Sequence, residues 1–113
     1  MFGSITNALN SLKDRSVEAA LQALANRYVR PFGRVSRLTL DSAARTIAVE
    51  VELRGETTPV SMEARNYQLT REGDQIWIAC AEFVASREWL TAALNEFVAD
   101  RKFRVPPAVG AVL

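Results

Sequence analysis

The stretch from Thr46 to Arg54 has a large aliphatic side chain at every second position. These residues are Ile47, Val49, Val51 and Leu53, and they alternate with Thr46, Ala48, Glu50, Glu52 and Arg54. Successive side chains of a β-strand point to opposite faces of a sheet, so the alternation predicts a strand with one buried and one wet face. The pattern therefore predicts that the middle of the chain belongs to a β-sheet.

Three further segments complete a predicted sheet of four strands. Val35–Leu40 precedes the alternating segment, and Val60–Leu69 follows it after a turn that contains glycine and proline. The apolar residues change parity within Val60–Leu69, which predicts a β-bulge near Arg65-Asn66, because one extra residue moves every later side chain to the opposite face. The fourth strand, Ile76–Ala85, is apolar on both faces.

The segment before the sheet predicts a helix, since residues 4–29 contain no glycine or proline. Its apolar residues form two stripes, rotated by about 100–130° from each other on a helical wheel. The first stripe is Phe2, Ile5, Leu9 and Leu12, and the second is Val17, Leu21, Leu24 and Tyr28. Either the helix buries a wide face, or it breaks near residues 14–16.

The segment after the sheet predicts a second helix, with Ser86 as its N-cap and Pro106 beyond its end. Its broad apolar stripe consists of Trp89, Leu90, Ala93, Leu94, Phe97 and Val98. The order of helix, four strands joined by short turns, and helix predicts a single α+β domain over residues 1–113. We expect an antiparallel meander with both helices packed on one face.

The residue inventory argues against catalysis. The chain has no histidine, which is the usual general base and the commonest metal ligand. Cys80 has no cationic neighbour in its apolar strand, which favours a buried inert thiol over a nucleophile. Glu50 and Glu52 alternate as any solvated strand face does, and no glycine begins a phosphate-binding loop. We predict a protein without enzymatic activity, metal or cofactor.

Charge and cysteine content limit the partners and the compartment. A formal net charge of +1 lacks the basic excess typical of nucleic-acid binding, so we expect no nucleic-acid partner. A single cysteine suits a reducing compartment, and the sequence shows neither a secretory signal nor an apolar run of about 18 residues. We expect a cytoplasmic protein, with peripheral contact at the membrane as part of one hypothesis below.

Arginines cluster around the predicted end of the first helix. Twelve of the fourteen basic residues are arginine, and four of them fall within eleven residues that contain no acid: Arg27, Arg30, Arg34 and Arg37. Arginine suits bidentate contacts with phosphate or carboxylate. Arg30, Arg34 and Arg37 are therefore candidate anion or headgroup ligands. The other interpretation is that cations at a helix C-terminus complement the helix dipole and need no ligand.

The fourth strand has more apolar surface than two helices on one face can cover. Its alternation predicts Trp77 and Phe83 on one side and Ile76, Ile78 and Cys80 on the other. The second side needs a cover, which is the N-terminal segment, a partner subunit or an apolar ligand. The candidate residues for an apolar ligand or an interface are Phe2, Ile5, Leu9, Leu12, Trp77, Phe83 and Trp89.

Two functional hypotheses follow. The first is a non-enzymatic module that binds an apolar or amphipathic ligand, such as a lipid at an anionic membrane surface, with residues 2–12 inserting shallowly. The alternative is a homodimeric structural or protein-interaction domain, with the fourth strand and the C-terminal helix at the interface. In the alternative the N-terminal segment belongs to the core.

Overall fold

The sheet forms where the alternating sequence predicts it. The structure is a computed structural model that describes residues 17–106. Its strands are β1 (Gly33–Asp41), β2 (Thr46–Leu53), β3 (Val60–Glu72), β4 (Gln75–Ala85) and β5 (Phe103–Val105), and its helices are α1, described over residues 17–29, and α2 (Glu88–Phe97). The strands form one sheet in the order β1-β2-β3-β4-β5, each antiparallel to its neighbour. The α+β class and the antiparallel sheet are confirmed.

The prediction of four strands is wrong, because the chain adds β5 where the sequence pattern continues the second helix. The helix ends at Phe97, and the backbone N–H groups of Val98 and Ala99 both bond to the carbonyl of Leu94. Asp100 then adopts a left-handed conformation with φ 65° and the chain turns back. β5 pairs with the first half of β4 and buries Val105.

β3 changes parity at Asn66 as the sequence predicts, but not through the extra residue of a β-bulge, because the register of β3 with β4 is the same on both sides of Asn66. Asn66 has a φ of 55°, and both Ala64 and Tyr67 are buried although they lie three residues apart. β4 changes parity opposite this point, because Cys80 pairs with Tyr67 and Phe83 pairs with Ala64. Directly paired residues share a face of the sheet. The placement of Phe83 on the side of Trp77 is therefore wrong, and Phe83 packs against the core.

The core lies between one face of the sheet and α1. Val17 and Leu21 of α1 are buried together with residues from all five strands. On one side of the helix, the side-chain oxygen of Asn26 accepts a hydrogen bond from Val35 of β1. Elsewhere on α1, the ring of Tyr28 packs edge-on against Phe103 of β5, with centroids 5.4 Å apart. α1 therefore spans the sheet between its two edge strands.

α2 begins one residue later than the Ser86 cap predicts. Its N-cap is Arg87, which makes no capping hydrogen bond through its side chain within the described residues. Ser86 instead extends the pairing of β3 with β4: its N–H donates to the carbonyl of Ser61, and its hydroxyl accepts from the N–H of Ser61. The preference of serine for helix N-caps is overridden here by the sheet.

Candidate functional site

α2 lies along the edge of β4 and replaces a neighbouring strand there. Asn95 Oδ1 accepts a hydrogen bond from the N–H of Phe83 at 2.9 Å, and Asn95 Nδ2 donates to the carbonyl of the same residue at 2.7 Å. One turn earlier, Thr91 Oγ1 accepts from the N–H of Ala85 at 2.8 Å and lies 3.2 Å from its carbonyl oxygen. The edge of β4 that β5 leaves open is thus occupied by side chains, which prevents pairing with another chain.

α1 uses the same arrangement on the opposite edge of the sheet. Asn26 Oδ1 accepts from the N–H of Val35 at 2.8 Å, and Gln22 Nε2 donates to the carbonyl of Val35 at 3.2 Å. Gln22 and Asn26 are four residues apart, as are Thr91 and Asn95, so each pair lies on one side of its helix. Both helices are therefore fixed to strand edges by a pair of polar side chains.

Fixing Thr91 and Asn95 against β4 determines which side of α2 faces outward. Trp89 and Phe97 lie about 120–160° around the helix from these two residues, at about 100° per residue. Trp89 is 58% exposed and Phe97 is 63% exposed. Ala93 lies between them and is half-buried. We call Trp89, Ala93 and Phe97 the aromatic stripe.

α2 contributes little to the core despite its apolar sequence. Within the described part of the chain, no residue of α2 is buried. Leu90, Leu94 and Val98, on the side next to the stripe, are half-buried. Most of the apolar face that the sequence predicts for this helix is therefore only partly covered, and its two largest side chains, Trp89 and Phe97, are more than half exposed.

The structure separates the three candidate residues of the fourth strand and second helix. Phe83 packs against the core, and Trp89 lies on the aromatic stripe. Trp77 is half-buried on the outer face of β4, opposite Arg104 of β5, and its indole Nε1 is enclosed without a hydrogen-bond partner among residues 17–106. Phe97 is absent from the candidate set, although its spacing of eight residues from Trp89 places it on the same helical stripe. The candidates Phe2, Ile5, Leu9 and Leu12 and the predicted break at residues 14–16 lie outside the described residues.

The arginine cluster does not form one bare cationic surface. Arg34 makes an ion pair with Glu52 at 2.7 Å, and Arg37 faces Glu50 across β1 and β2. Arg30 is exposed after α1 and forms no ion pair within the described residues. The sequence of residues 27–37 does not predict this pairing, because the acidic partners, Glu50 and Glu52, lie on the neighbouring strand β2. Phe32, between Arg30 and Arg34, is 66% exposed.

Two open clefts lie on the described surface. One, of about 490 Å³, runs over the outer face of β1–β4 and includes the charged side chains of Arg37, Glu50 and Glu63. The other, of about 450 Å³, includes Arg45 and Asn66. The first cleft also includes the apolar side chains of Val49, Met62 and Val84, but both clefts are open to solvent, whereas a pocket for a small ligand encloses most of its surface.

The described residues offer little reactive chemistry. Burial raises the pKa of the Cys80 thiol from its ordinary value of 9.0 to about 11. A thiol with a raised pKa is a poor nucleophile near neutral pH, because little thiolate is present. Residues 17–106 contain no group of three or more His, Cys, Asp or Glu side chains placed to hold a metal ion.

Comparison with known proteins supplies no relative. No family model, curated protein or solved structure matches the chain. Among the helices over residues 17–106, none is long and apolar enough to cross a membrane.

Proposed function

We propose that this chain is a non-enzymatic module that binds an apolar or amphipathic partner through the aromatic stripe of α2. One observation carries the proposal: α2 is hydrogen-bonded to the edge of β4 in an orientation that leaves Trp89 and Phe97 more than half exposed. Tryptophan and phenylalanine supply much of the binding energy in interfaces because their large surfaces are removed from water.

Exposure leaves Trp89 and Phe97 without the full stabilisation that burial gives an apolar side chain. Burying a large apolar side chain stabilises a protein by about 1.5–3 kcal/mol relative to leaving it in water. In the described part of the chain, α2 does not obtain this full stabilisation from Trp89 and Phe97. Its hydrogen bonds to Phe83 and Ala85 hold the stripe away from the sheet. A partner that covers the stripe recovers this free energy on binding.

The tight packing of the core favours a partner that binds at the surface over a ligand that binds in an internal cavity. The core includes four almost wholly buried side chains, Tyr67, Val35, Val51 and Val105. The two clefts described above are open and carry charged residues. An apolar ligand therefore finds its largest unoccupied apolar side chains on the outside of the molecule.

A second candidate function, binding to an anionic membrane surface, is favoured by the turn between α1 and β1. Phe32 is 66% exposed there beside Arg30, and Tyr28 is 56% exposed on the last turn of α1. An aromatic side chain among cations is typical of peripheral contact with anionic lipid. This candidate uses a different surface from the aromatic stripe, so the two are separable by mutation.

The test compares three proteins in two assays. The double variant Trp89→Ser/Phe97→Ser removes the stripe, and Phe32→Ser is a matched control that removes an equally exposed aromatic elsewhere. Sedimentation velocity measures self-association, and flotation with neutral and anionic vesicles measures lipid binding. We expect the double variant to lose the association that the wild type shows, and Phe32→Ser to keep it.

Three other outcomes are informative. Loss of flotation with Phe32→Ser alone, together with self-association that the double variant retains, favours the membrane candidate and contradicts the first proposal. Equal binding by all three proteins contradicts both, as does a wild type that neither self-associates nor floats. Circular dichroism of each variant shows whether the fold is retained.

A further inference from the structure

We infer that the partner of the aromatic stripe is a second copy of this chain, bound through an antiparallel α2–α2 contact with its two-fold axis at Ala93. This inference rests on the proposed function and names the occupant of that surface.

The spacing of the stripe makes it self-complementary. Trp89 and Phe97 are eight residues apart, about 12 Å along the helix, and Ala93 lies midway. When two such helices pack antiparallel about Ala93, Trp89 of one protomer meets Phe97 of the other, twice. A two-fold interface has this property, because each protomer presents the same patch to its copy.

The small side chain of Ala93 permits the close approach that this contact needs. Packed helices have axes about 8–10 Å apart, with the shorter distances at small residues. Ala93 is recessed between its two bulky neighbours, so the central point of the contact carries no side chain large enough to separate the helices. The order of large, small and large side chains is the same in both directions along the helix, so two antiparallel copies are complementary in shape.

The charges of α2 argue against an anionic lipid as the partner. They also repel the same helix of a second copy, so we expect added salt to strengthen the dimer. Glu88 and Glu96 are both exposed on α2, and the last turn of the helix contains no basic residue. An anionic bilayer repels such a helix, whereas interfacial helices that bind it are rich in lysine and arginine.

The available area predicts a weak dimer. At their observed exposure, Trp89 and Phe97 offer about 200–300 Å² per protomer, against the roughly 800 Å² per partner of a stable interface. The half-buried Leu90, Leu94 and Val98 add to this at the margin. We therefore expect dissociation in the micromolar range or weaker, and a dimer that forms with rising concentration.

The test is disulfide trapping at the proposed two-fold axis. With Cys80 replaced by alanine, Ala93→Cys places two thiols face to face across the axis, within the Cα separation of about 4.4–6.8 Å that a disulfide requires. Ala92→Cys is the matched control, since it is exposed on the same helix but lies about 100° away around it. We expect Ala93→Cys to form covalent dimer at least tenfold faster than the control, and the added substitution Trp89→Ser to abolish the difference.

Several results would overturn the inference. Equal trapping rates at positions 92 and 93 exclude an axis at Ala93, and a wild type that stays monomeric in sedimentation at millimolar concentration excludes the dimer whatever the variants do. The proposed function fails separately. If vesicle flotation depends on Trp89 and Phe97 while trapping at position 93 is slow, the stripe binds an apolar surface that is not a second copy.

Discussion

The side-chain amide of Asn95 occupies the place of a neighbouring strand at Phe83, accepting from its N–H at 2.9 Å and donating to its carbonyl at 2.7 Å. The same amide also donates to the carbonyl of Thr91 at 2.9 Å, which fixes its orientation on the helix. The backbone at the edge of β4 is thus hydrogen-bonded by a side chain of α2 and not by a further strand. The direction of the aromatic stripe follows from this contact.

Asn95→Leu keeps a similar side-chain size and removes both hydrogen bonds to Phe83. We expect the free energy of unfolding to fall by about 0.5–1.5 kcal/mol, because two hydrogen bonds at the exposed edge of β4 are lost and water can take their place only in part. Urea denaturation measures the change. Glu96→Gln, an exposed change on the next residue, is expected to stay within about 0.5 kcal/mol of wild type. An equal effect of the two substitutions would contradict the role of Asn95.

Asn26→Leu tests the corresponding contact of α1. We expect a loss of about 1–2 kcal/mol, since the N–H of Val35 loses its acceptor near the edge of β1. Denaturation of the single and double variants of Gln22 and Asn26 gives their coupling. Both side chains bond to Val35 of β1, so we expect the two losses in stability to be coupled. Strict additivity of the two losses would contradict this and show that the side chains act independently.

Gly33→Ala is expected to be among the most destabilising small substitutions in the chain. A β-carbon at Gly33 would overlap the backbone carbonyl of Glu52 across the pairing of β1 with β2, and a backbone atom within a sheet cannot move aside cheaply. We expect a loss of about 3 kcal/mol or more in thermal or urea unfolding.

Gly55→Ala is the control for this prediction. No atom lies within 4 Å of a β-carbon built there, and the penalty comes only from its φ of +86°. We expect about 1–2 kcal/mol. A smaller loss for Gly33→Ala than for Gly55→Ala would show that the close approach of β1 to Glu52 is not as described.

The thiol of Cys80 makes stability depend on pH in the alkaline range. Its pKa is raised by burial from 9.0 to about 11 in the folded chain, so the unfolded chain releases this proton first. The contribution is fully present below pH 9 and is lost as pH rises towards 11. We expect the free energy of unfolding of the wild type to fall relative to that of Cys80→Ala across this window. A constant difference between the two proteins would contradict the burial of the thiol.

The sequence predicts those parts of the fold that depend on periodicity. The alternation of residues 46–54 and the change of parity near Asn66 both reflect which side chains are buried, and both are found in the structure. β5 escapes this reasoning because three residues carry too little alternation to distinguish them from the end of a helix. The alternation of β4 places Phe83 on the wrong face, because β4 changes parity together with β3.

The candidate site was only partly predictable for a different reason. The apolar stripe of α2 identifies Trp89 as a candidate, but stripes of this kind usually face a core. What turns this one outward is a pair of hydrogen bonds from Thr91 and Asn95 to a strand edge, which no periodicity encodes. The pairing of Arg34 with Glu52 likewise depends on the register of β1 and β2.

The most direct test of the central claim is the fluorescence of Trp89 as the single tryptophan. Trp77→Phe leaves Trp89 as the reporter and removes an indole N–H that has no partner in the described part. The matched protein, Trp89→Phe, reports from the half-buried Trp77 instead. In dilute solution we expect Trp89 to emit as an exposed indole and to be quenched readily by acrylamide. As protein concentration rises, its emission should move to shorter wavelength and its quenching should fall, while Trp77 stays unchanged. The contradicting result is a Trp89 that stays exposed and fully quenchable at every protein concentration and with every vesicle. It would show that the aromatic stripe is not the binding surface of this protein.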